Sequence, residues 1–132
     1  MDPETFVMPV TVRYSEVDAQ GVVFNMWYLG WFDEAVTAFL AHRGLPYRSM
    51  LDAGYDVQVV HTELDYRCGV RWEDDVAVRV TAGALGRTSF TVDFAVQRDG
   101  VDVVTGSTVY VVVAADGSGK RPIPDFIAHA LT

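Results

Sequence analysis

The feature that most narrows the fold of this chain is a change of period part-way along it. From about Met26 to Arg43 the apolar residues Tyr28, Trp31, Phe32, Ala35, Phe39 and Leu40 recur at three and four, the spacing of one buried helical stripe. After Tyr55 the spacing drops to two. Val57, Val59 and His61 alternate with Gln58, Val60 and Thr62, and Val76, Val78 and Val80 alternate with Ala77, Arg79 and Thr81. Phe90, Val92, Phe94 and Val96 alternate with Ser89, Thr91, Asp93 and Gln97, so these segments read as half-buried antiparallel strands. One switch from helical to strand spacing means segregated elements, hence an α+β fold in which a sheet buries one apolar helix.

The flanking residues set the element ends. Val7 to Tyr14 is β-branched enough for a first strand, and Ser15 to Gly21 is a polar, glycine-closed loop. Asn25 is placed to cap the long helix and Gly44 to end it. Pro46 to Ala53, with Gly54 after it, reads as a short second helix, and Arg98-Asp99-Gly100 as a hairpin turn. The last strand, Val101 to Ala115, differs from the others. Val101, Val103, Val109, Val111 and Val113 share one face while Val104, Tyr110 and Val112 share the other, so both faces look buried. A helix about 10 Å wide covers only one face of a sheet, so the second face calls for another subunit. A homo-oligomer is expected, a dimer and beyond that a dimer of dimers, that is, a homotetramer.

Composition excludes several function classes. At 132 residues the chain has the length of one domain, and no linker or repeat divides it. Lys+Arg 10 against Asp+Glu 18 give a formal net charge of −8, a field that repels nucleic acid and anionic bilayers. Cys68 is the single cysteine, so no intrachain disulfide forms, and three scattered histidines offer no metal-ligand spacing. With an acidic start at Met1-Asp2-Pro3-Glu4 and no apolar run of membrane-spanning length, the expected location is cytoplasmic and no membrane partner is expected.

The chemistry is expected where the first strand meets the helix. A helix start offers unpaired N–H groups and the positive end of the macrodipole, which together stabilise negative charge developing on a carbonyl oxygen. Asp18 lies next to it in sequence, with Glu16 as a second carboxylate two residues before. The run Tyr14-Ser15-Glu16-Val17-Asp18-Ala19-Gln20-Gly21-Val22-Val23-Phe24-Asn25-Met26-Trp27-Tyr28-Leu29, followed by Trp31-Phe32-Asp33-Glu34-Ala35, resembles the N-terminal signature of hotdog-fold acyl-CoA thioesterases of the 4-hydroxybenzoyl-CoA thioesterase type. The likeness continues through Leu64-Asp65-Tyr66-Arg67, Arg71-Trp72-Glu73-Asp74-Asp75-Val76 and Gly86-Arg87-Thr88-Ser89-Phe90.

The resemblance implies a hotdog fold, an antiparallel sheet wrapped around one long helix, and hydrolysis of an acyl or aroyl thioester. It implies that Asp18 acts on the thioester carbon as general base or as nucleophile, and that the acyl group enters between subunits. Gly21, Val23, Asn25, Tyr28 and Glu63 are the candidate substrate contacts, with Trp27 beside Tyr28 and His61 sharing a strand face with Glu63. Arg71, Arg87 and Arg121, with Lys120, are the candidates for holding the phosphates of coenzyme A, which enters as part of the substrate; no separate cofactor and no metal are expected. The chain departs from the family pattern at Val22, where some members have His, at Trp27, where Asn precedes the tyrosine, and at Gly69, where many have Pro. The alternatives are a thioesterase acting on an acyl carrier protein, a dehydratase or hydratase, which would need a His with an Asp on the helix side of the slot and is opposed by the lack of any His between Asp18 and His42, and a non-catalytic acyl-binding module.

Overall fold

The computed structural model describes residues 5–132; the acidic start read from the sequence, residues 1–4, lies outside them. The elements are β1 (Thr5–Thr11), a single 3-10 turn (Tyr14–Glu16), α1 (Trp27–His42), α2 (Tyr47–Asp52), β2 (Tyr55–Tyr66), β3 (Asp75–Leu85), β4 (Ser89–Arg98), β5 (Val101–Ala114) and α3 (Asp125–Leu131). The first strand is shorter than its β-branched run suggests, because Tyr14 belongs to the 3-10 turn.

The five strands form one antiparallel sheet in the order β1-β3-β4-β5-β2. The strand that follows the helices therefore does not pair with its successor; it crosses to the far edge and pairs with β5. The sheet closes on α1, whose Trp31, Phe32, Ala35, Val36, Phe39 and Leu40 are buried. Phe32 stacks on Phe94 with ring centroids 4.5 Å apart and planes 7° apart. This contact needs Gly106 on the neighbouring strand, since a Cβ there would lie 2.8 Å from the Phe32 ring. This is the hotdog arrangement that the resemblance implies.

Helix α1 ends as its glycine predicts. Gly44 sits at φ +84°, Leu45 N–H donates to Leu40 O at 2.8 Å, and Gly44 N–H donates to Ala41 O at 3.0 Å, the paired bonds of a Schellman stop. Its start is a correction. Asn25 is not the cap: Met26 holds that position in helical conformation without a side-chain cap bond, and Trp27 N–H donates to Phe24 O at 3.0 Å. A backbone turn does the capping, which leaves the Asn25 side chain free for other work.

Two bulges correct the strand faces. In β2 the register slips between Val59, opposite Tyr110, and His61, opposite Val109, so Val60 is the extra residue. Val57 and Val59 face the helix, but beyond the bulge the parity inverts, and His61, Glu63 and Asp65 point outward while Leu64 packs on the core. In β5 the slip falls at Val103, so Val101 does not share the face of Val109, Val111 and Val113. Val103 and Val111 are already buried within the chain, whereas Val101 is exposed. The middle of the outer face is polar, with Glu63, Asp65, Arg79, Asp93 and Ser107 along a shallow groove. At the β2 edge Val59 and Val60 are 55% and 56% exposed. Among the described residues no helix is long and apolar enough to cross a membrane.

Candidate active site

The segment between β1 and α1 is a small hairpin. Val17 and Val23 bridge, Asp18 N–H donates to Val22 O at 2.9 Å, and Gly21 N–H closes back on Asp18 O at 3.0 Å. Gly21 has φ +81°, a conformation that disfavours any side chain, so the turn depends on it. Inside this turn Asp18 Oδ1 accepts the Gln20 N–H at 2.8 Å. That bond fixes the carboxylate rotamer through one oxygen. The other oxygen, Oδ2, has no protein hydrogen bond among the described residues.

The hairpin is anchored by Glu16, the rival carboxylate, which turns out to be structural. It is 6% exposed; its Oε1 accepts the Arg13 N–H at 2.7 Å and its Oε2 accepts the Trp31 indole N–H at 3.0 Å. A buried carboxylate is tolerated only when its oxygens are satisfied, and here both are, by groups from the strand end and from α1. Glu16 O also takes the Phe24 N–H at 2.9 Å. Glu16 thus fixes the start of α1 against the Asp18 turn.

A cleft of about 360 Å³ opens beside this turn, and Asp18, Val23, Asn25 and Tyr28 all line it. Tyr66, Cys68 and Gly69 form the opposite wall. Tyr66 Oη donates to Asn25 O at 3.3 Å, and burial pushes the Tyr28 phenol above its ordinary pKa. The start of α1 borders the cleft through Tyr28. Trp27 N–H and Leu29 N–H are taken by Phe24 O and Met26 O, which leaves the Tyr28 N–H without a backbone acceptor among the described residues.

The wall is braced from β4. Arg98 donates to Gly69 O at 2.8 Å, to Asp74 Oδ2 at 3.0 Å and to Cys68 Sγ at 3.1 Å. The Arg71 N–H and then the Arg98 guanidinium hold the Asp74 carboxyl below its usual range. Nothing in the local sequence of Cys68 signals this, because its partner lies thirty residues on.

Two departures from the family pattern prove to be one. A Cβ on Gly69 would lie 2.6 Å from Val22 Cγ1, so the valine side chain occupies the space that a residue larger than glycine would need. Gly69→Ala alone should therefore destabilise the protein by about 1–3 kcal/mol through overpacking, whereas Gly69→Ala with Val22→Ala should recover most of that loss. Thermal unfolding of the two single variants and the double variant measures this coupling; additive effects would mean that the contact carries no energy.

The other sequence candidates are not gathered here. Glu63 and His61 point to the outer face, Glu63 into the polar groove. Arg71 lies beside the turn, its Nη1 3.7 Å from where a Gly21 Cβ would stand. Arg87 is in the turn after β3, at the opposite end of that strand, and Arg121 bonds Lys120 O and Ser118 Oγ nearby, where Ile123 N–H meets Arg87 O. The three arginines thus do not form one cluster within a chain. No group of three His, Cys, Asp or Glu residues among those described is arranged to hold a metal.

A second cavity, about 370 Å³, lies between α1, α2 and the sheet and is lined by Val36, Leu40, Met50, Val57, Phe90 and Tyr110. It opens near the start of β2, whereas the Asp18 cleft touches Tyr66 at the end of β2. At about 3.3 Å per residue, roughly 30 Å of strand separates Val57 from Tyr66. The chain's apolar room and its placed carboxylate are at opposite ends of its edge strand.

Comparison with known proteins identifies the family and the fold. The thioesterase-like superfamily matches residues 12–131. The 1,4-dihydroxy-2-naphthoyl-CoA hydrolase of Synechococcus elongatus is 30% identical over 116 residues, covering 86% of this chain and 85% of its own. A hypothetical protein of Aquifex aeolicus superposes with a TM-score of 0.92 at 28% identity, covering 96% of this chain and 99% of its own. A mutant 4-hydroxybenzoyl-CoA thioesterase crystallised with 4-hydroxybenzoyl-CoA superposes at 0.87 and 20% identity, covering 98% and 99%, and so shares the fold.

Proposed function

The chain belongs to the thioesterase-like superfamily, and from that premise we propose that it hydrolyses the thioester of an acyl-coenzyme A, with Asp18 as the reacting carboxylate. The observation that carries this reading is the double state of Asp18: pinned through Oδ1 by the Gln20 N–H, with no hydrogen bond to Oδ2 among the described residues, in a side chain that lines the cleft at the start of α1. The open oxygen takes a proton from water as that water attacks the carbonyl, or attacks the carbonyl itself. The Gly21 N–H is already bonded to Asp18 O, so the oxyanion falls to the Tyr28 N–H and the positive end of the α1 dipole. On the general-base route collapse of the tetrahedral intermediate expels the coenzyme A thiolate, which takes the proton that Asp18 accepted, and on the nucleophilic route it leaves an acyl–Asp18 anhydride that water then hydrolyses. The substrate named for the Synechococcus elongatus relative, an aromatic acyl-CoA, supports the same reaction class.

We further propose that the working site takes two copies of the chain. The β2 edge presents unpaired backbone groups around the exposed Val59 and Val60, which is a template for antiparallel pairing with itself. A two-fold axis near the Val60 bulge lays the Tyr66 end of one β2 against the Val57 end of the other. Each Asp18 then meets the apolar cavity of the second copy, and Arg71 comes to the side on which the second copy carries Arg87 and Arg121, where phosphates can be held. The test is release of free thiol from a panel of aromatic and aliphatic acyl-CoAs. Turnover of at least one supports the reading, and binding without turnover across the panel leaves only an acyl-binding module.

A further inference from the structure

The apolar cavity contains one group that its apolar walls do not explain. Its sheet side is a cross-strand row, Val59 on β2, Tyr110 on β5 and Phe90 on β4, with Tyr110 stacked on Phe90 at 5.2 Å and 18°. Leu40 and Met50 close it from the helices. Tyr110 is only 4% exposed, yet its hydroxyl has no hydrogen-bond partner among the described residues. Nor is that oxygen sealed in protein, since no fully buried side-chain polar atom lacks a partner. It therefore opens onto the cavity that Tyr110 lines. A hydroxyl buried this deeply is normally paired, and a position that needed only apolar packing would be served by phenylalanine.

The surroundings define what fits. Burial, and then the Asp33 charge, push the phenol's pKa well up, so it remains a neutral O–H that can donate or accept. Asp33 and Asp56 stand at the cavity, Asp56 accepting the Tyr47 hydroxyl at 2.9 Å, and no cation lines it. An anionic acyl tail is repelled there, whereas a neutral hydroxyl finds both a donor and acceptors. The stacked Phe90–Tyr110 wall suits a flat ring.

From this we infer that Tyr110 is a specificity-determining residue, its hydroxyl reading a neutral polar substituent, a phenolic hydroxyl, on a planar aromatic acyl group held in the cavity. The inference rests on the proposed thioester reaction for its substrate and on the cavity alone for its geometry. The experiment compares benzoyl-CoA with 4-hydroxybenzoyl-CoA on the wild type and on Tyr110→Phe, which keeps the ring and its stacking. The wild type should favour the hydroxylated substrate in kcat/KM. The variant should lose about tenfold or more on 4-hydroxybenzoyl-CoA while staying within about twofold on benzoyl-CoA, because an unmet hydrogen bond is read only by the substrate that makes it. An equal loss on both, or no preference in the wild type, overturns the assignment. Equilibrium binding of the same two thioesters to Asp18→Asn, with and without Tyr110→Phe, reads the cavity without turnover. If that preference vanishes with the hydroxyl although the wild type cleaves no thioester of the acyl-CoA panel, the hydrolase reading fails and the role of Tyr110 stands. If the wild type cleaves both but neither binding nor turnover responds to Tyr110→Phe, the role fails and the hydrolase stands.

Discussion

Asp18→Asn should lower kcat for acyl-CoA hydrolysis by about a hundred- to ten-thousandfold, the usual contribution of a positioned acid–base group, with KM changed little. The substitution is informative because it spares the local structure. The Asn side-chain oxygen can still accept the Gln20 N–H, so the Asx turn, the Gly21 conformation and the Val17–Val23 bridge all survive. Only the charge on the open oxygen is lost. Thiol release from acyl-CoA under saturating substrate, with thermal unfolding as a control for folding, measures the effect. Activity within a few-fold of wild type would leave Asp18 as a turn former and nothing more.

That turn was the most legible part of the site, because its chemistry is local: an Asp followed three residues later by Gly, just before an apolar helical stripe. The residues around it were less so. Glu16 reads as a surface charge until α1 folds back and brings the Trp31 indole, fifteen residues on, against it. Asn25 has the right side chain for a cap, but the carbonyls of Phe24 and Met26 take the first N–H groups instead, a backbone alternative that no residue type announces.

The sheet shows the same division. The strands after Tyr55 are visible from their period and the first from its β-branched residues, and Asp99-Gly100 makes the predicted turn with both residues at positive φ. The bulges at Val60 and Val103 were not visible, since an inserted valine among valines leaves composition and length unremarkable while inverting every later side chain. Period alone therefore places His61 on the face of Val57 and Val59, and Val101 on that of Val109. The transfer of β2 to the sheet edge is a non-local pairing, and period says nothing about partners. Helix α3 was legible in principle, through Pro124-Asp125 followed by Ile127, Ala130 and Leu131 at helical spacing, but its seven residues are too few for a strong periodic signal.

The edge position of β2 leads to the second large effect. If Asp18 and the apolar cavity that serves it belong to different copies, two inactive variants should restore each other. Asp18→Asn removes the carboxylate and leaves the cavity; Thr37→Trp fills the cavity from an exposed position on α1 and leaves the carboxylate. Thr37 tolerates this because its side chain's only hydrogen bond among the described residues is from its hydroxyl to Asp33 O, 2.9 Å away and on the helix surface. Each variant alone should lose about a hundredfold or more of its activity. Co-expression gives mixed dimers in which one site has both an intact Asp18 and an intact cavity while the other has neither. With random pairing half the dimers are mixed and half of their sites work, so activity should return to about a quarter of wild type. Thiol release from the co-expressed pair measures it. If both elements of the site came from one chain, each chain would stay defective whatever its partner, and mixing would restore nothing. A Thr37→Trp protein with undiminished turnover would remove the cavity from the site altogether, and recovery to about a quarter would place the catalytic carboxylate and the acyl pocket on opposite sides of a β2–β2 seam.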